Sequence, residues 1–98
     1  MVTIVWTEIS IKDLREIFEF IAEDSVRYAL ITSNKIYKRA QIVSSNVHIG
    51  RMVPEFNDPL IREVIEGNYR IIYRVKGEHQ ADILRVYHSA RFIKEEKL

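Results

Sequence analysis

The chain has no cysteine, three glycines, two prolines and one tryptophan in 98 residues. Without cysteine there are no disulfides, no zinc ribbon and no thiol nucleophile. With so few glycines there is no Gly-rich phosphate loop, and no Ser-nucleophile motif stands in its place. Low-complexity tails, linkers and internal repeats are absent. Neither sign of charge dominates: the net charge is +1, so attraction to a polyanion would have to come from local clusters of Arg and Lys. The start, Met1 to Glu8, has no basic leader and no long apolar run, which argues against a signal peptide or a membrane span and for a cytoplasmic protein. No His, Asp and Glu stand at metal-ligand spacing, so neither metal nor other cofactor is expected.

What is present is a hydrophobic content of 47%, enough for one globular domain spanning residues 1–98. The stretch 61–91 carries the clearest pattern. Two runs rich in β-branched and aromatic residues meet at Gly67-Asn68, a pair that tolerates positive φ, and Lys76-Gly77-Glu78 makes a second turn. Three strands in an antiparallel meander follow. In the middle strand, alternation puts Tyr69, Ile71, Tyr73 and Val75 on one face and Arg70, Ile72 and Arg74 on the other. The first face is expected to pack and the second to stay open, with two guanidiniums for an anionic or acidic partner.

Upstream, Val2 to Trp6 suits a short strand joined to this meander. Leu14, Ile17, Phe18 and Ile21 fall on one helical face, predicting a first helix over about residues 8–23 with Ser10 and Asp13 as a capping box. Ser25 is placed to cap a second helix, whose stripe runs through Ala29, Ser33, Ile36, Ala40, Val43 and Val47, and Gly50 is placed to end it in a left-handed conformation. Residues 51–59, with both prolines, read as an irregular loop or edge segment. The expected fold is α+β in the order β-α-α-β-β-β. A helix hairpin packs on one face of a small, mostly antiparallel four-stranded sheet, with 92–98 as either a short C-terminal helical turn or a loose tail. Leu14, Ile17, Phe18, Ile21, Ile36, Ala40, Val43, Ile71 and Tyr73 are its expected core.

Three strings, taken in order, resemble one family. These are Gly50-Arg51-Met52-Val53-Pro54-Glu55, then Ile61-Arg62-Glu63 leading into Gly67-Asn68-Tyr69-Arg70-Ile71-Ile72-Tyr73-Arg74, then Ile83 through Arg91. With Trp6-Thr7-Glu8 and Asp13-Leu14-Arg15-Glu16-Ile17 they look like the RelE/ParE superfamily of toxins from bacterial type II toxin–antitoxin, or plasmid-stabilisation, modules. The resemblance covers nearly the whole chain and is closer to the ParE branch. It implies a growth inhibitor that binds DNA gyrase and is neutralised by a cognate antitoxin. The RelE branch implies a ribosome-dependent messenger RNA endonuclease instead, and a family member with a binding role only is the third reading.

Cleavage through a ribose 2′-hydroxyl needs proton transfer and positive charge for the transition state. Arg70, Arg74, Arg85, Tyr87 and His88 are the residues for it. RelE-like nucleases often carry a catalytic Tyr near the carboxyl terminus, and nothing after Arg91 is Tyr. The plainer reading pairs the strand arginines with Glu63, Glu66 or acidic residues of an antitoxin. Arg62, Arg70, Arg74, Arg85, Arg91, Phe92 and Ile93 are the partner-binding candidates.

Overall fold

The computed structural model describes residues 1–89. The predicted helical turn over 92–98 and the candidates Arg91, Phe92 and Ile93 lie outside them. Strand β1 (Thr3–Trp6) leads into helices α1 (Glu8–Ala22) and α2 (Val26–Gln41). A 3₁₀ turn (Ile42–Ser45) follows, then β2 (Arg51–Met52), β3 (Ile61–Glu66), β4 (Tyr69–Lys76) and β5 (Gln80–His88). Among the described residues the sheet has five strands in the order β1-β5-β4-β3-β2.

Two expectations about the sheet are corrected. It has five strands instead of four, because Arg51 and Met52 pair with Glu63 and Arg62 as a two-residue edge before Pro54 ends the ladder. It is also mixed, since β1 runs parallel to β5 through Thr3↔Gln80 to Trp6↔Ile83, while the other three pairings are antiparallel. Both predicted meander turns are present, with Gly67 and Gly77 at positive φ.

Local contacts explain the helix boundaries. Thr7, not Ser10, caps α1: its side chain accepts from Ser10 N at 3.2 Å and donates to Ile83 O at 2.7 Å, so the helix start is tied to β5. Ser10 is turned inward and donates to Thr7 O. Ser25 caps α2 as expected, accepting from Tyr28 N at 3.1 Å. Gly50 is not at positive φ and does not end a helix. It is small because the chain crosses β3 and β4 there: a Cβ would stand 2.6 Å from Glu63 O and 2.7 Å from Tyr73 Oη. Gly50 N donates to that same hydroxyl, which in turn donates to Val47 O at 2.7 Å. Burial pushes the Tyr73 phenol above its ordinary pKa, opposed by the Gly50 N–H.

The helix hairpin covers one sheet face. Ile36, Ala40, Val43, Ile71 and Tyr73 are fully enclosed, and burying a side chain the size of Ile71 contributes about 1.5–3 kcal/mol. Leu14, Ile17, Phe18 and Ile21 are only half-buried. Helix α2 lies over β3 and β4, whereas α1 lies over β5. The second face is not open either. Val53 and Phe56, from the segment between β2 and β3, pack with Ile61, Ile72 and Tyr87 into a second apolar cluster.

Candidate functional site

A bulge in β5 sets up the site. Ile72 faces Arg85 and Tyr73 faces Ile83, so Leu84 is the extra residue. The shift lets Ile83 and Val86 both reach the helix-side core and brings Arg85 to the sheet edge just past the end of β1. There Asp13 of α1 takes the place of the missing strand. Its carboxylate accepts from Arg85 Nε at 2.8 Å, from Arg85 Nη2 at 3.0 Å and from Val86 N at 3.0 Å. The hydrogen bond to Asp13 holds the Arg85 guanidinium above its ordinary pKa against the cost of burial. Arg85 Cζ also lies 4.6 Å from the centre of the Tyr87 ring.

On the second face, Arg70 stands opposite Tyr87. It is 5% exposed. Its Nε donates to Glu63 at 2.7 Å, and Nη1 and Nη2 grip both oxygens of Glu55 at 2.6 and 2.7 Å. Glu63, 1% exposed, also accepts from Arg51. The Glu55 hydrogen bonds raise the Arg70 pKa further, outweighing desolvation, with Glu63 adding to the rise. The expected open face carrying Arg70 is thus an interior ion network. It exists because the 53–60 segment folds over the sheet and brings Glu55 with it.

The other candidates are dispersed. Arg62 donates to Pro59 O and to Gly50 O, both at 2.9 Å, and so clamps the segment between β2 and β3. Arg74 stands opposite Asp82, and among the described residues its guanidinium forms no hydrogen bond or ion pair. Tyr87 is buried, whereas His88 is exposed and meets Tyr69 edge-on at 6.0 Å. A cleft of about 290 Å3 between α1 and the end of β5 is lined by Ile17, Phe20, Tyr69, Val86 and His88 among others.

Sequence reasoning missed Asp13 and Glu55 as partners, while Glu63 was named as one. Only the carboxylate signature itself could have signalled them: an acid on an otherwise apolar helical face, and another two residues after Val53 in a loop. No group of three or more acidic or His side chains among the described residues is arranged to hold a metal ion.

A two-sided fold of this kind, with helices over one face and a buried Arg–Glu network on the other, can be set beside known proteins. A family model described as the ParE toxin of type II toxin–antitoxin systems, parDE, matches residues 4–92. The chain belongs to that family. A chain from the chromosomal ParDE toxin–antitoxin system of P. aeruginosa is similar in fold, with a TM-score of 0.72 at 22% identity over 90% of this chain and 96% of that one. A chain from the RelBE2 toxin–antitoxin complex of Mycobacterium tuberculosis superposes at a TM-score of 0.49, with 21% identity over 89% of this chain and 96% of that one. No curated protein matches by sequence. As a ParE-family member the chain is the toxin side of a type II module. Among the described residues of this ParE-family chain, no helix is long and apolar enough to cross a membrane.

Proposed function

We propose that this ParE-family toxin inhibits growth in the cytoplasm by binding DNA gyrase, without cutting RNA, and that a cognate antitoxin neutralises it. One observation carries the choice of binder over nuclease. Arg70 and Arg85, the arginines a nuclease would turn toward a phosphorane, spend their charge on Glu55, Glu63 and Asp13. A guanidinium held by carboxylates offers little to a developing phosphate dianion. A toxin that acts by surface contact needs no such constellation, and its losses on mutation are spread over several contact residues. Arg91, Phe92 and Ile93, which follow β5 in the sequence, are the proposed contact segment. Arg62 acts through the loop it clamps.

The test is purified protein assayed in parallel for inhibition of gyrase supercoiling and for translation-dependent messenger cleavage. Gyrase inhibition with intact messenger is expected. His88→Ala, a change at an exposed position, should stay toxic in cells lacking the antitoxin. A proton-transfer role for His88 would instead lower cleavage about a hundredfold to ten thousandfold in a protein that still folds. Codon-positioned cleavage by the wild type, lost in His88→Ala, would reverse the assignment to the nuclease.

A further inference from the structure

The cleft between α1 and the end of β5 plays no part in the gyrase reading, and its lining is aromatic and anionic. Asp13, Glu16, Ile17 and Phe20 fall at three- and four-residue spacing, so they share the face of α1 that borders the cleft. Of the two carboxylates, Asp13 is spent on Arg85 and on Val86 N. Glu16 is exposed, and its carboxylate forms no hydrogen bond or ion pair among the described residues. Its charge still reaches the Arg85 guanidinium, which it helps to raise. Because Asp13 already neutralises Arg85, Glu16 is the negative charge left over. Aromatic rings stand around it. Tyr69 and His88 meet edge to face, with centres 6.0 Å apart and planes at 77°, and so form a corner. Phe20 is 74% exposed although Ile17, one turn earlier, is half-buried, which places its ring at the open side with little protein against it.

We propose that this cleft binds a small organic cation with an alkylated ammonium head, held on the Phe20 and Tyr69 rings by cation–π attraction and paired with Glu16. Ring faces and a single carboxylate suit a soft, weakly hydrated cation, and its alkyl groups gain from Ile17 and Val86 in the same lining. The volume of about 290 Å3 is enough for one such head group with a few carbons. Other ligands fit less well. A hard metal ion needs several oxygen ligands, and no group of three acidic or His side chains among the described residues supplies them. An anion would meet Glu16, and a neutral apolar molecule would strip water from that carboxylate without replacing it. The neighbouring Tyr87 ring already carries a cation of this chain, the Arg85 guanidinium, 4.6 Å from its centre.

The probe is choline, compared with its neutral isostere in which a tert-butyl group replaces the trimethylammonium, each titrated into the whole chain at pH 8 and followed by proton NMR. Ring currents should move the choline methyl signal upfield. Choline should bind about five- to thirtyfold more tightly than the isostere, the ratio that a cation against aromatic faces supplies. Phe20→Leu, which keeps an apolar side chain at an exposed position, should weaken choline about fivefold. Glu16→Gln should weaken it and flatten its salt dependence. Glu8→Gln, at the opposite end of α1, should leave affinity unchanged. Equal unfolding midpoints establish that the variants are folded. Equal affinity for the isostere would make the cleft a merely apolar hollow, and displacement of choline by an equal concentration of potassium would make it a site for a hard ion. Either result overturns the proposal, as would wild-type affinity in Phe20→Leu or the absence of saturable choline binding, and none of them touches the gyrase reading.

Discussion

Replacing Arg70 by Met tests whether the second sheet face is an interior. Arg70 is the hub of the network, with three hydrogen bonds to two carboxylates at 2.6–2.7 Å. Methionine fills much of the same space without charge or donors. Glu63 would keep only Arg51, whose side chain is 62% exposed, and Glu55 would lose both of its hydrogen bonds to Arg70. Removing one partner of a buried ion pair costs about 3–5 kcal/mol, most of it from the charge left without compensation. A domain of this length has a total stability of about 5–15 kcal/mol, so the loss is about a fifth or more of what is available. Urea unfolding followed by fluorescence of Trp6, the only tryptophan, reads it directly. Adding Glu55→Gln and Glu63→Gln to Arg70→Met should recover part of the loss, because the carboxylates that faced Arg70 are then neutral. A single Arg70→Met change that costs less than about 1 kcal/mol would show Arg70 to be solvated and would reopen the arginine face as a binding surface.

Gly50→Ala should destabilise by about 1–3 kcal/mol, since its Cβ meets Glu63 O and the Tyr73 ring; a midpoint equal to wild type would mean that the 47–50 segment yields freely. Burial alone would raise the pKa of Asp82, but the bonds from Gln80 and Lys76 outweigh it and hold the carboxyl below its ordinary 3.8. The stability this adds is present above that value and lost as pH falls through the depressed folded pKa. The stability gap between wild type and Asp82→Asn should therefore be constant from pH 6 to 8 and close in acid. Lys76 is half exposed, so the gap should stay within about 1 kcal/mol, and a gap that widened in acid would contradict the assigned direction.

Local chemistry made most of the fold legible. Gly67-Asn68 and Lys76-Gly77-Glu78 announce their turns because only a few residues tolerate those backbones, and the stripe through Ile36, Ala40 and Val43 announces the central helix by period alone. The illegible parts all depend on distant pairs. Alternation correctly separated Arg70 from Tyr69 and Ile71, yet a charged residue on the far face looks solvated until Glu55, fifteen positions away, is known to fold over it. The Leu84 bulge leaves no mark in composition; it shows only in register. Asp13 was read as a helix cap because Ser10 preceded it, whereas its carboxylate serves a strand seventy-two residues downstream.

The parallel pairing of β1 with β5 has a consequence for synthesis. Residues 3–6 hydrogen-bond to a strand that starts at residue 80, so the first element made has no partner in the sheet until the last one arrives. Thr7 likewise anchors α1 to Ile83 across seventy-six positions. Such long-range closure slows folding, and it cannot take place while residues 80–88 are inside the ribosome exit tunnel. An incomplete nascent chain holds at most the helix hairpin and strands β2 to β4, three of the five described, and helix α2 stands beside an unfinished sheet throughout that interval. A partner already present in the cell would meet that helix before the molecule it belongs to had closed.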